Sequence, residues 1–233
     1  MDDLRNNLPQ HIAIIPDGTR RWARKRGLPD IEGAKAGVKV AHKAVDYLLN
    51  IGLKYLTMWG FSTDNWKRPE KQVNLLLEQA QVWIEEDGPW LHSRGARLRH
   101  IGSVDRMPPG LKKALEYYGE MTEQNTGMTL MVAFDYGGRA EIVEVIRRLL
   151  NTSVTPKSVN DALVSHYLYT EGAPDVDLVI RTGGELRLSN FMIWQAAYSE
   201  FYFTPILWPD FNETELKNAI IAYGQRQRRF GGD

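Results

Sequence analysis

Four short polar clusters in the chain carry residue types suited to phosphate chemistry. They are Asp17-Gly18-Thr19-Arg20-Arg21-Trp22, Ser62-Thr63-Asp64-Asn65-Trp66-Lys67-Arg68, Asp135-Tyr136-Gly137-Gly138-Arg139 and Arg181-Thr182-Gly183-Gly184-Glu185-Leu186-Arg187-Leu188-Ser189. Arginine offers a planar, permanently charged fork that grips phosphate oxygens in pairs. Glycine lets backbone N–H groups approach a ligand closely. Gathered in one place, Arg20, Arg21, Arg68, Arg139, Arg181 and Arg187 would make a site for one or more highly charged phosphates. Asp17, the lone carboxylate of the first cluster, is what a phosphate-bridging Mg²⁺ requires. Each piece also has a plain reading. Asp17-Gly18 suits a tight turn, Arg68 before Pro69 a solvated loop, and Gly183-Gly184 a loop without a ligand. Their joint occurrence is what argues for a site.

Each cluster follows a short apolar run that reads as a buried strand. The runs are His11–Ile15, Tyr55–Phe61, Met128–Phe134 and Asp177–Ile180. Helical spacing is predicted for 32–49, 73–93, 109–123, 138–150 and 159–169, with a further helix over Leu188–Ala197 and one from about Glu213. Short strands are predicted at Arg97–Ile101 and Phe201–Phe203. Strand and helix alternate from end to end without a repeat, which predicts one α/β domain over 1–233. Its central sheet is expected to be mostly parallel and flanked by helices. Ligands of such sheets bind at the carboxyl ends of the strands, so the four clusters should meet on one rim.

Composition removes several classes of function. Lys+Arg and Asp+Glu are both 29, and this neutral balance argues against a nucleic-acid partner. There are no cysteines, hence no disulfides, thiolate metal sites or cysteine nucleophiles. The five histidines are scattered without metal-ligand spacing. No apolar stretch approaches the ~20 residues that span a bilayer. The polar Met1–Asn7 segment lacks the features of a secretory signal, so a cytoplasmic location is expected. Neither a Walker lysine loop nor a G-x-G-x-x-G fingerprint is present. Arg, at 18, outnumbers Lys, at 11, which fits concentrated phosphate recognition.

From His11 to Gly232 the chain resembles the cis-prenyltransferases, the family of undecaprenyl diphosphate synthase. The likeness is carried by HIAIIPDG, GAKAG, FSTDNWKRP, DLVIRTGGELRLSNFMIWQAAYSEFYFT, LWPDF and RRFGG. It implies a homodimer with a central parallel sheet and a hydrophobic tunnel, and Mg²⁺-dependent condensation of prenyl diphosphate substrates. It also implies roles. Asp17 would hold Mg²⁺ on an allylic diphosphate cradled by Gly18, Thr19, Arg20, Arg21 and Arg68. Ser62 and Asn65 would sit near the reacting carbons. Arg181, Arg187 and Ser189 would hold the second diphosphate. Glu200 would be a metal-linked carboxylate near the dimer interface, and Arg229-Phe230-Gly231-Gly232 a tail reaching the partner's site. Trp22, Trp59, Phe61 and Phe134 would belong to the tunnel, although Trp22 and Trp66 suit packing equally well.

The chain departs from the family pattern on the allylic side. Thr19 and Arg20 replace an asparagine and a glycine, Asp30 an arginine, Ala34 and Leu186 histidines, and Asp64 a glutamate. Trp59 and the pair Ala133-Phe134 add volume to strands expected to line the tunnel. The resemblance therefore extends to lavandulyl and cyclolavandulyl diphosphate synthases. These departures imply condensation of two dimethylallyl diphosphates into an irregular, branched monoterpene diphosphate. The alternative is regular elongation with isopentenyl diphosphate, to a short or an undecaprenyl product. A non-catalytic partner subunit would not need Asp17, Arg181, Arg187 and Glu200 together.

Overall fold

The computed structural model describes residues 8–226. Six strands form one sheet in the order β3-β4-β2-β1-β5-β6, and every neighbouring pair is parallel. They are β1 (His11–Ile15), β2 (Tyr55–Ser62), β3 (Arg97–Ile101), β4 (Thr129–Tyr136), β5 (Leu178–Arg181) and β6 (Glu200–Phe203). The helices are α1 (Thr19–Lys25), α2 (Asp30–Ile51), α3 (Glu70–Ser93), α4 (Pro109–Met121), α5 (Gly138–Leu150), α6 (Asp161–Tyr167) and α7 (Glu213–Gly224). After β1 the chain builds β2, β3 and β4 on one side, then crosses to place β5 and β6 on the other. The crevice beside β1 is therefore a topological switch point, where open α/β sheets bind ligands.

Most predicted elements are present with shifted ends, and the sheet is wholly rather than mostly parallel. Two local predictions differ. Residues 19–25, where no helix is predicted from the sequence, form α1. Leu188–Ala197, predicted as a helix, is a chain of turns with positive φ at Ser189, Asn190 and Met192. Leu188, Phe191, Met192 and Ala196 do have helical spacing, but the three left-handed residues break the helix. Phe191, Met192 and Ala196 instead cover one face of the sheet, against Ala13, Met131 and Val179.

The larger core lies on the other face, between the strands and helices α2, α3, α4 and α7. Strand alternation sends Ile12, Ile14, Leu130 and Val132 into it. In β2, Met58 points into this core and Trp59 away from it. Strict alternation would send Phe61 the same way as Trp59. A register shift between Trp59 and Phe61 intervenes at Gly60, and Phe61 returns to the larger core. In α3, Pro89 has no N–H to give the carbonyl of Glu85. The Tyr118 hydroxyl donates to that carbonyl at 3.2 Å. Gly88 leaves room for the Tyr118 ring, since a Cβ there would lie 2.3 Å from Cδ1.

Candidate active site

The clusters after β1, β2, β4 and β5 follow four adjacent strands, and their loops share one rim of the sheet. At the switch point β1 ends at Ile15, in register with Arg181 of β5. The Asp17 N–H donates to Thr182 Oγ1 at 2.9 Å, and the Thr182 hydroxyl donates to the Asp17 carbonyl at 2.8 Å. This exchange fixes Asp17 over the end of β5. Arg181 Nη2 then donates to Asp17 Oδ2 at 3.0 Å, and Arg21 Nη2 lies 3.2 Å from Oδ1. Arg181 is 5% exposed and Asp17 31%. Arg181 Nη1 also donates to Ser189 Oγ at 2.8 Å and to the Arg187 carbonyl, while its buried Nε has no protein partner. The left-handed backbone at Ser189 belongs to the turn that presents this hydroxyl.

Gly18 precedes α1 in a left-handed conformation, with φ 105°. A side chain there would also meet Leu207, whose Cδ2 lies 2.7 Å from the Cβ position. Arg20 and Arg68 come together on the outer side of Asp17, lining a cavity of about 220 Å³ with Arg21, Asp30, Ala34 and Gln72. Burial lowers the Arg68 pKa from its usual value. The Arg20 charge pushes the same way and Asp17 opposes it. Two guanidiniums lining one cavity favour an anionic ligand between them. Asp30 is tied to Arg24 at 3.2 Å.

Ser62 and Asn65 form a capping box at the start of the 3₁₀ turn Thr63–Lys67. Ser62 Oγ accepts from the Asp64 N–H at 3.1 Å, and Asn65 Oδ1 accepts from the Ser62 N–H at 3.1 Å. Both residues line a second, deeper cavity of about 490 Å³. Its mouth is Asp17, Arg68, Arg181 and Ser189, and it runs beneath Met58, Phe61, Val132 and Phe134 to Leu111 and Leu115 on α4. Phe134 occupies space that Gly60 leaves free: a Cβ at Gly60 would lie 2.9 Å from Phe134 Cδ2. The Phe61 and Phe134 rings are stacked, 5.2 Å apart.

Several predicted site residues sit elsewhere. Trp59 contributes to the cavity wall, but its ring stacks on Phe191 at 4.7 Å and 14°, on the opposite face of the sheet. Trp22 lines neither cavity. Its Nε1–H donates to Asp210 at 2.6 Å and Arg26 lies over its ring, which pins α1 to the 208–210 turn. The Arg187 guanidinium pairs with Glu185, and only its backbone carbonyl meets Arg181. Arg139 is exposed and lines neither cavity. Glu200 begins β6 in register with Leu178, about 10 Å along the strand from the end that carries Arg181. It pairs with Arg226 at 2.5 Å. In a single chain it is thus not part of the Asp17 cluster. Among the described residues no three His, Cys, Asp or Glu side chains form a metal-binding group. The tail at 229–232 lies outside the described residues. Sequence reasoning passed over Thr182, which clamps Asp17, and Glu185, which pairs with Arg187 and approaches Arg21 Nη1 at 3.8 Å. Their position inside the Arg-Thr-Gly-Gly-Glu run was the available signal.

Residues 15–231 match the prenyltransferase family model described as "Putative undecaprenyl diphosphate synthase". An isoprenyl transferase of Clostridium perfringens is 46% identical, over 98% of this chain and 92% of its own length. The isoprenyl transferase of Thermotoga maritima is 44% identical, over 97% of both chains. Among solved structures, lavandulyl diphosphate synthase from Lavandula x intermedia, in complex with dimethylallyl diphosphate, superposes with a TM-score of 0.93. It is 35% identical, over 97% of this chain and 99% of its own.

Proposed function

The chain belongs to the cis-prenyltransferase family and is a prenyl-transferring enzyme, and we propose that it elongates an allylic diphosphate with isopentenyl diphosphate. The observation that carries this reading is the depth of the larger cavity. Behind a mouth of Asp17, Arg68 and Arg181 it continues past β2 and β4 to α4, which suits a growing hydrocarbon chain. The full-length similarity to isoprenyl transferases supports the same reading.

In this mechanism Gly18, Arg20, Arg21 and Arg68 hold the diphosphate of the allylic donor, and its hydrocarbon enters the cavity. Arg181 and Ser189 hold the acceptor's diphosphate, joined by Arg187 when it leaves Glu185. The donor's C1–O bond breaks and its electron pair departs with diphosphate. The terminal alkene carbon of the acceptor bonds to that C1, leaving a tertiary cation on the acceptor. Loss of a proton from the carbon next to the cation, on the diphosphate side, gives a longer allylic diphosphate. Free diphosphate and one proton are the other products. The guanidiniums stabilise negative charge where it develops, and the apolar wall keeps water from the cation. Ser62 and Asn65 line the deeper cavity beside Arg68, where they would face the reacting carbon of the donor. The departing diphosphate is the proton's destination.

Mg²⁺ commonly binds one or two carboxylates and completes its shell with phosphate oxygens and water. Asp17 fits that need: it is partly exposed at the mouth, between two diphosphate cradles. It would hold the ion, which when bound supplies positive charge against the leaving diphosphate. The enzyme works as a homodimer in this proposal. The half-buried rings of Phe201 and Phe203, stacked on edge strand β6, suit a subunit contact. No helix among the described residues is long and apolar enough to cross a membrane.

A specific observation favours a second reading, irregular coupling of two dimethylallyl diphosphates. The lavandulyl enzyme superposes closely, and Arg20 and Ala34 rebuild the outer phosphate cradle. Mass analysis of products separates the two. Elongation predicts products only when isopentenyl diphosphate accompanies the allylic donor. A branched diphosphate formed from dimethylallyl diphosphate alone, with no elongation on adding isopentenyl diphosphate, overturns the first reading.

A further inference from the structure

The turn that carries Ser62, Asn65 and Arg68 is tied to the sheet at a point outside the substrate cavities. Asp135, near the end of β4, has a side chain 0% exposed and a left-handed backbone with φ 50°. A residue other than glycine in that conformation is uncommon and persists where its surroundings hold it. Here three contacts do so. Trp66 Nε1–H donates to Asp135 Oδ1 at 2.7 Å. Arg106 grips both oxygens, Nε to Oδ2 at 3.0 Å and Nη2 to Oδ1 at 2.5 Å. The Arg106 guanidinium also lies 4.8 Å over the Trp66 ring.

The three side chains come from three different segments, so their closure is not local. Arg106 arrives on the loop after β3. That loop passes so close to β4 that a Cβ at Gly102 would lie 2.2 Å from the Phe134 carbonyl. Trp66 sits in the 3₁₀ turn, its ring edge-on to Phe61 at 5.3 Å. A second contact joins the same two segments: the Cβ position of Gly137 lies 2.5 Å from Thr63 Oγ1. Inside the turn the Arg68 N–H donates to the Asn65 carbonyl at 3.0 Å. Movement of Trp66 is thereby passed to its neighbours at 65 and 68. Neither Arg106, Asp135 nor Trp66 lines a cavity.

We propose that Arg106, Asp135 and Trp66 form a lock that positions Asn65 and Arg68, and so sets affinity for the allylic diphosphate without touching it. Trp66 is the linking member. Its ring supports Arg106 on one side, and its N–H takes the Asp135 oxygen that Arg106 Nη2 also uses. The acceptor cradle, Arg181 and Ser189, is built on the loop after β5 and takes no hydrogen bond from the lock's three side chains, although Asn190 beside it accepts from the Gly138 and Arg139 N–H groups just past β4. The consequence is an asymmetry: damage to the lock weakens the donor side more than the acceptor side. This deepens the proposed function and rests on its placement of the donor's diphosphate at Arg68.

Two variants of the full-length protein test it. Trp66→Phe keeps the ring and removes the N–H. Asp135→Asn keeps an acceptor and removes the charge that Arg106 pairs with. If the second does not fold, the first carries the test, with circular dichroism as the check. Hydrogen–deuterium exchange of the backbone amides of residues 62–68 reports the lock without any substrate, and should quicken about tenfold in either variant. KM for the allylic diphosphate should rise about tenfold while KM for isopentenyl diphosphate stays within about twofold. Unchanged exchange at 62–68 overturns the lock. Faster exchange with both KM values unchanged, or with both raised alike, overturns its positioning role. A wild-type chain without turnover on any prenyl diphosphate sinks the proposed function instead, and exchange still decides the lock.

Discussion

Arg181 and Asp17 meet at 3.0 Å although 164 residues separate them. The contact closes the switch point of the sheet and joins the two proposed phosphate cradles. It leaves one of the few carboxylates at the mouth shared between a buried guanidinium and the half-exposed Arg21.

Asp17 is the first residue to test. Asp17→Asn should lower kcat with Mg²⁺ about 10²-fold or more, because the anionic ligand is lost while the shape is kept. The asparagine can still accept from Arg181, so stability should fall by only about 1 kcal/mol. Asp17→Ala leaves Arg181 without that acceptor and should unfold at clearly lower denaturant. Equal stability of the two variants would show that the hydrogen bond from Arg181 to residue 17 does not support the fold. More than about a tenth of normal turnover in Asp17→Asn would remove Asp17 from the metal's site.

Product length should respond to Phe134 and not to Trp59. Phe134→Ala opens the cavity wall beside Gly60, and chromatography of the products should show longer chains. Trp59→Ala vacates the other face of the sheet. It should leave product length unchanged while costing about 3 kcal/mol, through loss of the stack on Phe191. Longer products from Trp59→Ala would mean that the second face also governs the cavity.

His11 makes stability depend on pH. Burial lowers its pKa from 6.5 to about 4. Its Nδ1–H donates to the Pro174 carbonyl at 2.9 Å, and Nε2 accepts from the Thr57 hydroxyl at 2.8 Å. The folded chain therefore binds fewer protons than the unfolded chain between pH 4 and 6.5. Stability is fully present above pH 6.5 and is lost as pH falls, by about 2 kcal/mol at pH 5. Urea unfolding at pH 7.5 and pH 5, with His11→Gln as the control, should show that part of the loss only in the wild type. An identical pH response in both proteins would exclude His11 as the cause.

Helix α3 offers a test of the cavity's outer wall. Tyr118→Phe leaves the Glu85 carbonyl without its donor and should cost about 1 kcal/mol. Gly88→Ala drives a methyl group into the Tyr118 ring and should cost about 1–3 kcal/mol. Thermal melts of the two variants should rank them in that order. The reverse order would show that the ring yields easily and that the hydroxyl is the true fastening.

The sheet was legible because its strands are continuous apolar runs closed by turn residues, as in His11–Ile15 before Pro16-Asp17-Gly18. The rim was legible because parallel strands carry their ligand loops at one end, and all four clusters do follow adjacent strands. Side-chain direction was harder to read. Trp59 and Phe61 are two apart, and alternation alone would give them one face. The shift at Gly60 separates them, and a glycine in a strand was the only hint. Leu188–Ala197 misled for a related reason. Three left-handed residues break the helix, and none of them is glycine. The partners of Asp135 lie 29 and 69 positions away, beyond the reach of any local pattern.

The position of β1 in the middle of the sheet has a consequence for synthesis on the ribosome. Its one neighbour, β2, emerges early, but the other, β5, begins at Leu178. At ordinary elongation speeds the gap between them takes about six to twenty-three seconds to translate. Through that interval one edge of a strand buried along its whole length in the fold has no native mate, and such edges invite pairing with other nascent chains. Asp177 accepts from the N–H groups of Gln10 and His11, so the residue that enters just ahead of β5 is also the one that fastens the start of β1. The last third of the chain thus ends the period in which the first strand is most exposed to misassembly.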